Sequence, residues 1–221
     1  MKGVRGGRLS IGVVSTAKYF MPRLLAEFRR RKPGVEIDLR VHNREVIVRQ
    51  LADNEIDLAV MGQPPQDFAT VAEAFADHPL VIVAPPDHPL AGRRQIAAKL
   101  LNGETFLIRE PGSGTRTAME RFFADADIIP HHLMEMVGNE TIKQAVMAGL
   151  GLSFISAHTI ALECEVGRLV KLPVAGTPVM RRWFVVHRAE KELLPVAETF
   201  RSFLLAEAGS LMADPPPRKR K

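Results

Sequence analysis

The chain has 221 residues, enough for one domain or two small ones, and with 46% hydrophobic and 25% charged residues its composition is that of an ordinary globular protein. Its apolar runs are too short to cross a bilayer and its start lacks a signal-peptide pattern, so we expect a cytoplasmic protein without a membrane partner. The single Cys164 excludes an intramolecular disulfide.

The net charge of +5 belongs to the two ends of the chain. Lys2, Arg5 and Arg8 precede the first predicted strand and four cations follow Pro217, so residues 9–217 carry a net charge of −2. A body without a basic face is poorly suited to bind DNA. The proline run before the last four residues favours a disordered, solvated tail over residues 209–221.

Strands and helices alternate through the first sixty residues. The pattern predicts strands at 9–14, 35–41 and 56–61, a helix that begins near Pro22 and ends at Pro33-Gly34, and a short helix at 46–51. Strand–helix–strand order at this spacing predicts parallel pairing with right-handed crossovers.

A second α/β series follows the extended stretch 68–86, whose final prolines predict a crossing out of the first block. We predict helices at 96–101, 114–125, 139–148 and 158–166, and strands at 105–109, 132–137, 152–155 and 169–174. A strand at 182–187 and a helix lined by Val196 to Leu204 can then return to the first block. The predicted fold class is therefore α/β, with two Rossmann-like lobes joined by two crossover strands: lobe I over 8–84 and 181–208, and lobe II over 85–180.

The segment Arg109-Glu110-Pro111-Gly112-Ser113-Gly114-Thr115-Arg116 joins a predicted strand to a predicted helix. The free N–H groups at a helix start suit an anion, and Arg116 in the first turn would add a bidentate donor. A plain loop capped by Ser113 or Thr115 explains the same residues. The segment lacks the Gly-Lys-Ser/Thr ending of a phosphate-binding P-loop, and by itself it leaves both interpretations open.

The sequence contains no pattern typical of a catalytic site. Acidic neighbours would raise the pKa of Cys164, so we expect an inert thiol. His131 and His132 point to opposite faces of a strand, and no four-ligand metal spacing accompanies them. Ser113 lacks the spacing of a nucleophile elbow. We therefore predict no catalytic residues, no metal and no cofactor. A cytoplasmic solute-binding protein remains an alternative.

Four stretches together resemble a known family: Arg8–Gly12, Leu51–Val60, Val83–Leu90 and Glu140–Leu152. They are similar to the effector-binding domain of LysR-type transcriptional regulators, in order and spacing, from about residue 8 to 208. Ser15–Phe20, Arg109–Arg116 and Gly149–Ser156 look like its CbbR subgroup, which activates Calvin-cycle CO₂-fixation operons. A LysR-type regulator of another pathway is the alternative. The resemblance implies a type 2 periplasmic-binding-protein fold.

The resemblance also implies an effector site between the lobes. The family's contacts fall on the loops after the first and third strands and on second-lobe helix starts. In this sequence those positions are Ser15, Thr16, Ala17, Lys18, Gly62, Gln63, Arg109, Ser113, Gly114, Thr115, Arg116, Asn139, Glu140 and Thr141. The expected effector is a reversible anion of carbon fixation: a sugar bisphosphate such as ribulose 1,5-bisphosphate, phosphoenolpyruvate or a phosphorylated nucleotide. Two of these residues have an alternative to effector contact. Lys18 would be solvated, and Arg116 would pair with Glu120, four residues on.

The family's partners give further expectations. The resemblance implies a homodimer, a tetramer in the full-length form, and operator DNA bound only through an N-terminal winged helix-turn-helix that this sequence lacks. The helices at 21–32 and 114–125 are candidates for a two-fold interface.

Overall fold

The structure is a computed structural model that describes residues 6–212. Its strands are β1 Gly7–Val14, β2 Val35–His42, β3 Leu58–Met61, β4 Thr70–Ala84, β5 Thr105–Arg109, β6 His132–Met136, β7 Leu152–Ser156, β8 Val170–Leu172 and β9 Val179–Arg188. Its helices are α1 Met21–Arg31, α2 Arg44–Ala52, α3 Gly114–Asp125, α4 Asn139–Met147, α5 Ala161–Glu165 and α6 Pro195–Met212. The predicted α/β class is confirmed.

The described residues form two compact units. The first contains 6–42, 46–77 and 182–212, and the second contains 43–45 and 78–181. The strands β4 and β9 pass from one unit to the other, because the divisions fall between Asp77 and His78 and between Arg181 and Arg182.

The first unit is a sheet in the order β2-β1-β3-β9, with β1 parallel to both β2 and β3 and β9 antiparallel to β3. The predicted parallel pairing is therefore confirmed. Helix α1 begins with Pro22 in its first turn, where the missing N–H costs nothing, and buries Met21, Leu24, Leu25 and Phe28 on one face. The Phe28 ring lies edge-on to Phe200 of α6 at 4.9 Å, so the two helices share one core over the sheet.

The second unit has the strand order β4-β7-β5-β6, with β8 paired to β4. The strands β5, β6 and β7 are parallel, while β4 runs antiparallel to β7. Helix α3 packs its buried Met119, Phe122 and Phe123 against one face of this sheet, and Ile142 and Val146 of α4 pack against the other. Since β5 leads into α3, the start of α3 lies at the carboxyl end of β5.

Several predicted boundaries are wrong. The segments 96–101 and 158–166 do not form single α-helices: the first gives a 3₁₀ turn at 98–101, and the second gives a 3₁₀ turn at 157–159 followed by α5. Arg8 lies within β1 rather than before it. Residues 209–212 belong to α6 rather than to a disordered tail, because Leu211 and Met212 pack against the first core. The tail beyond them, residues 213–221, lies outside the described residues.

Within residues 6–212, no helix has both the length and the apolar character needed to cross a membrane.

Candidate functional site

Ser113 is the cap of α3. Its Oγ accepts a hydrogen bond of 3.3 Å from the backbone N–H of Thr115, and its backbone is extended just before the helix begins. Both Ser113 and Thr115 are buried, whereas Gly112 before them is exposed. The cap uses one of the N–H groups at the helix start, and the positive end of the helix dipole stays at this position. Of the two caps that the plain-loop interpretation offered, Ser113 is the one observed.

Gly112 makes the turn into this cap possible. Its φ of +81° is a left-handed conformation that favours glycine, and an added Cβ would lie 2.9 Å from Glu45 Oε2. The short segment 43–45 thus lies against the loop within the second unit.

Arg109 is buried in a network of its own. Its guanidinium donates to both carboxylate oxygens of Glu110, at 2.8 and 2.7 Å, and to Asn139 Oδ1 at 2.6 Å. Burial by itself would raise the pKa of Glu110, but the hydrogen bonds and charge of Arg109 outweigh it and lower that pKa. Gly138 N–H completes the network with a 3.2 Å bond to Glu110. These contacts join the end of β5 to the start of α4.

Arg116 is held by two carboxylates. It donates to Glu120 at 2.8 Å and to Glu135 at 2.6 Å, and both acids raise its pKa. A third bond of 3.3 Å reaches the carbonyl of Arg109. This geometry corresponds to the alternative in which Arg116 pairs with Glu120, with Glu135 as an additional partner.

The side chains of Asn139 and Glu140 at the start of α4 pair with other residues of the second unit. Asn139 is buried and holds Arg109, while Glu140 makes a 3.1 Å ion pair with the buried Lys143. Thr141 is exposed. Effector contacts by Glu140 and Thr141 stay predictions.

The last residue of β7, Ser156, has a buried hydroxyl at the end of the second unit's sheet where α3 starts. Ser156 is fully buried, and its Oγ makes no hydrogen bond within residues 6–212. Phe154, two residues earlier, belongs to the core that α3 covers, so Ser156 lies on the α3 side of the sheet. Because β5 and β7 are parallel, the carboxyl end of β7 lies beside the strand that leads into α3.

His78 lies opposite His158 at this position. The register pairs Leu80 with Ser156 and Ile82 with Phe154, which places residue 78 across from residue 158. The two imidazole rings are 6.3 Å apart between centroids, and His78 is 4% exposed. Burial lowers the pKa of His78 well below the usual range of an imidazole, and the nearby Arg181 and His158 lower it further.

Arg181, the last β9 residue in the second unit, reaches the first turn of α3. Its Nη1 donates to the carbonyl of Gly114 at 3.1 Å. Burial lowers the pKa of Arg181, and the charge of Arg44 lowers it further. The pKa of Arg116, by contrast, is raised by its two acidic partners.

Residues 2–209 match the family model described as the LysR substrate binding domain. The chain belongs to this family. The resemblance inferred from the sequence is confirmed, and a solved LysR-type regulatory domain with a TM-score of 0.87 supports the predicted periplasmic-binding-protein-like fold.

Curated LysR-type relatives narrow the assignment. The chain is 52% identical over 211 residues to a RuBisCO operon transcriptional regulator of Allochromatium vinosum, which covers 96% of this chain and 70% of the relative. It is also 52% identical over 210 residues to the HTH-type transcriptional regulator CbbR of Rhizobium meliloti, covering 93% of this chain and 66% of the relative. The chain therefore spans about two thirds of the length of these relatives. The predicted CbbR resemblance is confirmed, and the relatives are transcriptional regulators rather than enzymes.

Solved structures of LysR-type domains show the same fold. The regulatory domain of Synechocystis PCC6803 CcmR, solved in complex with 2-PG, is 41% identical with a TM-score of 0.87, and the match covers 91% of this chain and 96% of that chain. An OxyR C206 mutant of Corynebacterium glutamicum is 25% identical with a TM-score of 0.82, and the match covers 96% of this chain and 68% of that chain.

The predicted LysR effector residues of the first unit lie in two loops. Thr16 and Ala17 are buried at the turn after β1, and Lys18 lies 5.2 Å from the centre of the Tyr19 ring. Ser15 donates its backbone N–H to His42 at 2.7 Å. Gly62 and Gln63 follow β3, and Gln63 is exposed. Their roles in effector binding stay predictions.

Sequence reasoning missed His78, Ser156 and Arg181. The predicted strand 152–155 ends one residue before Ser156, the predicted strand 182–187 begins one residue after Arg181, and no local motif surrounds any of the three. The available signal was polarity inside apolar strands: a histidine precedes the apolar run 80–84, and a serine ends the run 152–156.

No group of three or more residues able to hold a metal ion occurs in the part of the chain that the structure describes. Burial raises the pKa of the Cys164 thiol; Glu163 also raises it, while Lys171 acts in the opposite direction. The predicted direction for this thiol is confirmed.

Proposed function

We propose that the chain is the effector-sensing part of a CbbR-type regulator of carbon-fixation genes, and that it binds a small phosphorylated anion at the start of α3. The observation that supports this most directly is the contact of Arg181 with the first turn of a helix capped by Ser113. A helix start and a guanidinium both favour negative charge, and together they suit a phosphoryl or carboxylate group.

The similarity to the CcmR regulatory domain supports a phosphorylated effector. That domain, 41% identical to this chain, was solved with 2-PG, or 2-phosphoglycolate. It has one phosphoryl group and one carboxylate, and it resembles phosphoenolpyruvate in charge. The compounds to test are therefore 2-phosphoglycolate, phosphoenolpyruvate, ribulose 1,5-bisphosphate and a phosphorylated nucleotide.

The effector acts by shifting a population of conformations. A ligand shifts such an equilibrium only as far as its affinities for the two states differ. In the full-length regulator, a homodimer or tetramer would carry this shift to the helix-turn-helix part that contacts operator DNA. This role places the regulator in the cytoplasm.

Titration calorimetry of the 221-residue chain with the four compounds tests the proposal. We expect saturable heat from at least one of them, and no saturable heat from any would contradict it. Thr115→Val should weaken binding, because Thr115 is buried in the first turn of α3. Thr117→Val is the matched control, since Thr117 is exposed and points its hydroxyl to the carbonyl of Ser113.

A further inference from the structure

We propose that the carboxylate of Glu45 weakens the binding of anions at the start of α3 and thereby sets the effector concentration to which the chain responds. Glu45 lies in the first turn of α2 and belongs to the second unit. The inference rests on the proposed function, because it concerns the same helix start. It adds a residue that no sequence pattern marked.

The segment 43–45 lies along the loop that leads into α3. A Cβ added to Gly112 would be 2.9 Å from Oε2 of Glu45 and 3.5 Å from its Cβ, and a Cβ added to Gly114 would be 3.7 Å from Cδ of Arg44. Ser113 follows Gly112 by one Cα–Cα step of about 3.8 Å, so the cap of α3 is within roughly 8 Å of the Glu45 carboxylate. The first residues of α2 and α3 are therefore neighbours within the second unit.

The Glu45 carboxylate is not part of the network that holds the loop. Its side chain is exposed, and it makes no hydrogen bond or ion pair within residues 6–212. The acids that pair with Arg109 and Arg116 lie 2.6 to 2.8 Å from those guanidinium groups, so their charges are offset. The structural contribution of Glu45 is its favourable position at the positive end of the α2 dipole, which is a modest effect at an exposed site.

A negative charge at this position opposes an anionic ligand. The N–H groups in the first turn of α3 attract an anion through the helix dipole, and the Glu45 carboxylate repels the same anion. The separation is comparable to the Debye length of about 8–10 Å at 0.1–0.15 M salt, so screening reduces the repulsion without removing it. Because Coulomb energy grows with the charge of the ligand, 2-phosphoglycolate should be opposed more strongly than glycolate.

The repulsion shifts the range of concentrations that the chain can sense. Occupancy changes most steeply when the ligand concentration is near the Kd, so a residue that raises the Kd moves the response to higher concentrations. Glu45 therefore acts as a built-in threshold, and removing its charge should make the chain respond to less effector.

Titration calorimetry of matched variants tests this role. At low salt, Glu45→Gln should bind 2-phosphoglycolate about threefold to tenfold more tightly than the wild type. Asp125→Asn is the control, because it removes one negative charge from the far end of α3, about 16 Å away along the helix axis. This control should leave the affinity unchanged. Raising the salt to about 0.5 M should reduce the gain of Glu45→Gln toward none.

Melting temperatures separate the effect on binding from an effect on folding. Without ligand, Glu45→Gln should melt within about 4 °C of the wild type, because only the interaction with the α2 dipole is lost. Glu45→Lys should bind 2-phosphoglycolate more tightly than Glu45→Gln, since it replaces repulsion with attraction.

The outcomes distinguish the inference from the proposed function. If the wild type binds 2-phosphoglycolate and Glu45→Gln binds it no more tightly, the inference is overturned and the proposed function stands. A gain that persists unchanged at high salt also overturns it, because the effect would not be electrostatic. If neither the wild type nor Glu45→Gln binds any of the four compounds, both the inference and the proposed function are contradicted.

Discussion

Arg109 and Asn139 hold each other at the end of β5 and the start of α4, through a 2.6 Å bond from Nη1 to Oδ1. Both were predicted from the family resemblance to contact the effector. In the structure Arg109 is 3% exposed and Asn139 is 1% exposed, and Glu110 binds the other edge of the guanidinium. This pair explains how the loop before α3 is kept in place.

Arg109→Gln should therefore destabilise the fold. The substitution leaves the half-buried carboxylate of Glu110 without its cation, and breaking such a pair costs roughly 3 kcal/mol. Urea unfolding followed by circular dichroism measures the loss. Arg121→Gln is the control, because Arg121 and Asp125 form an exposed pair that contributes about 0.5 kcal/mol or less. Equal midpoints for the two variants would show that the buried network does not stabilise the fold.

Arg116→Met should leave the affinity for 2-phosphoglycolate within about twofold of the wild type, because two carboxylates already neutralise Arg116. If Arg116 instead bound the effector, as the family resemblance implies, the same substitution would weaken the affinity. Titration calorimetry decides between the two. A loss of tenfold or more would return Arg116 to the site and would imply that Glu120 and Glu135 release it on binding.

His78 should make stability depend on pH. Its pKa in the folded chain is lowered, so below the ordinary imidazole value of about 6.5 the unfolded state binds a proton that the folded state does not. The stability present above about pH 6.5 is lost as the pH falls toward the folded pKa, with a slope of up to ~1.4 kcal/mol per pH unit. Urea midpoints between pH 5 and 8 should show this slope, and His78→Gln should reduce it. His131→Gln, at an exposed position, should not.

Gly112→Ala should cost more than Gly149→Ala. Both glycines have a φ of +81°, so each alanine variant loses about 1–2 kcal/mol to the positive φ. At Gly112 the new methyl would also lie 2.9 Å from Glu45 Oε2, whereas nothing lies within 4 Å at Gly149. Thermal melting of both variants compares the two costs. An equal loss would show that the Glu45 side chain moves away freely.

Cys164 should react slowly with iodoacetamide near neutral pH. Burial is the largest cause of its raised pKa, and only the thiolate is nucleophilic. The rate followed by mass spectrometry should be well below that of a free thiol and should recover in urea. A native rate equal to the unfolded rate would contradict an inert thiol.

The sequence alone determined the α/β class, most of the strands and longer helices, and the family. Apolar spacing in α1, the Ser113 cap and the parallel order of β1 to β3 are local features, because helix faces and caps involve residues a few positions apart. The predicted boundaries are wrong where long-range packing sets the end of an element. Helix α6 reaches residue 212 because Leu211 and Met212 pack on a core formed by residues distant in sequence.

Only the tertiary structure decided which polar side chains pair with one another. Glu135 neutralises Arg116 from nineteen positions away, and Asn139 engages Arg109 from thirty. Residues 78, 156 and 181 reach one end of one sheet face through antiparallel β4–β7 register and the return of β9. Register is set by strand pairing over long distances, and no local pattern encodes it. The sequence therefore predicted where the loop lies, and the fold decided which carboxylates pair with its two arginines.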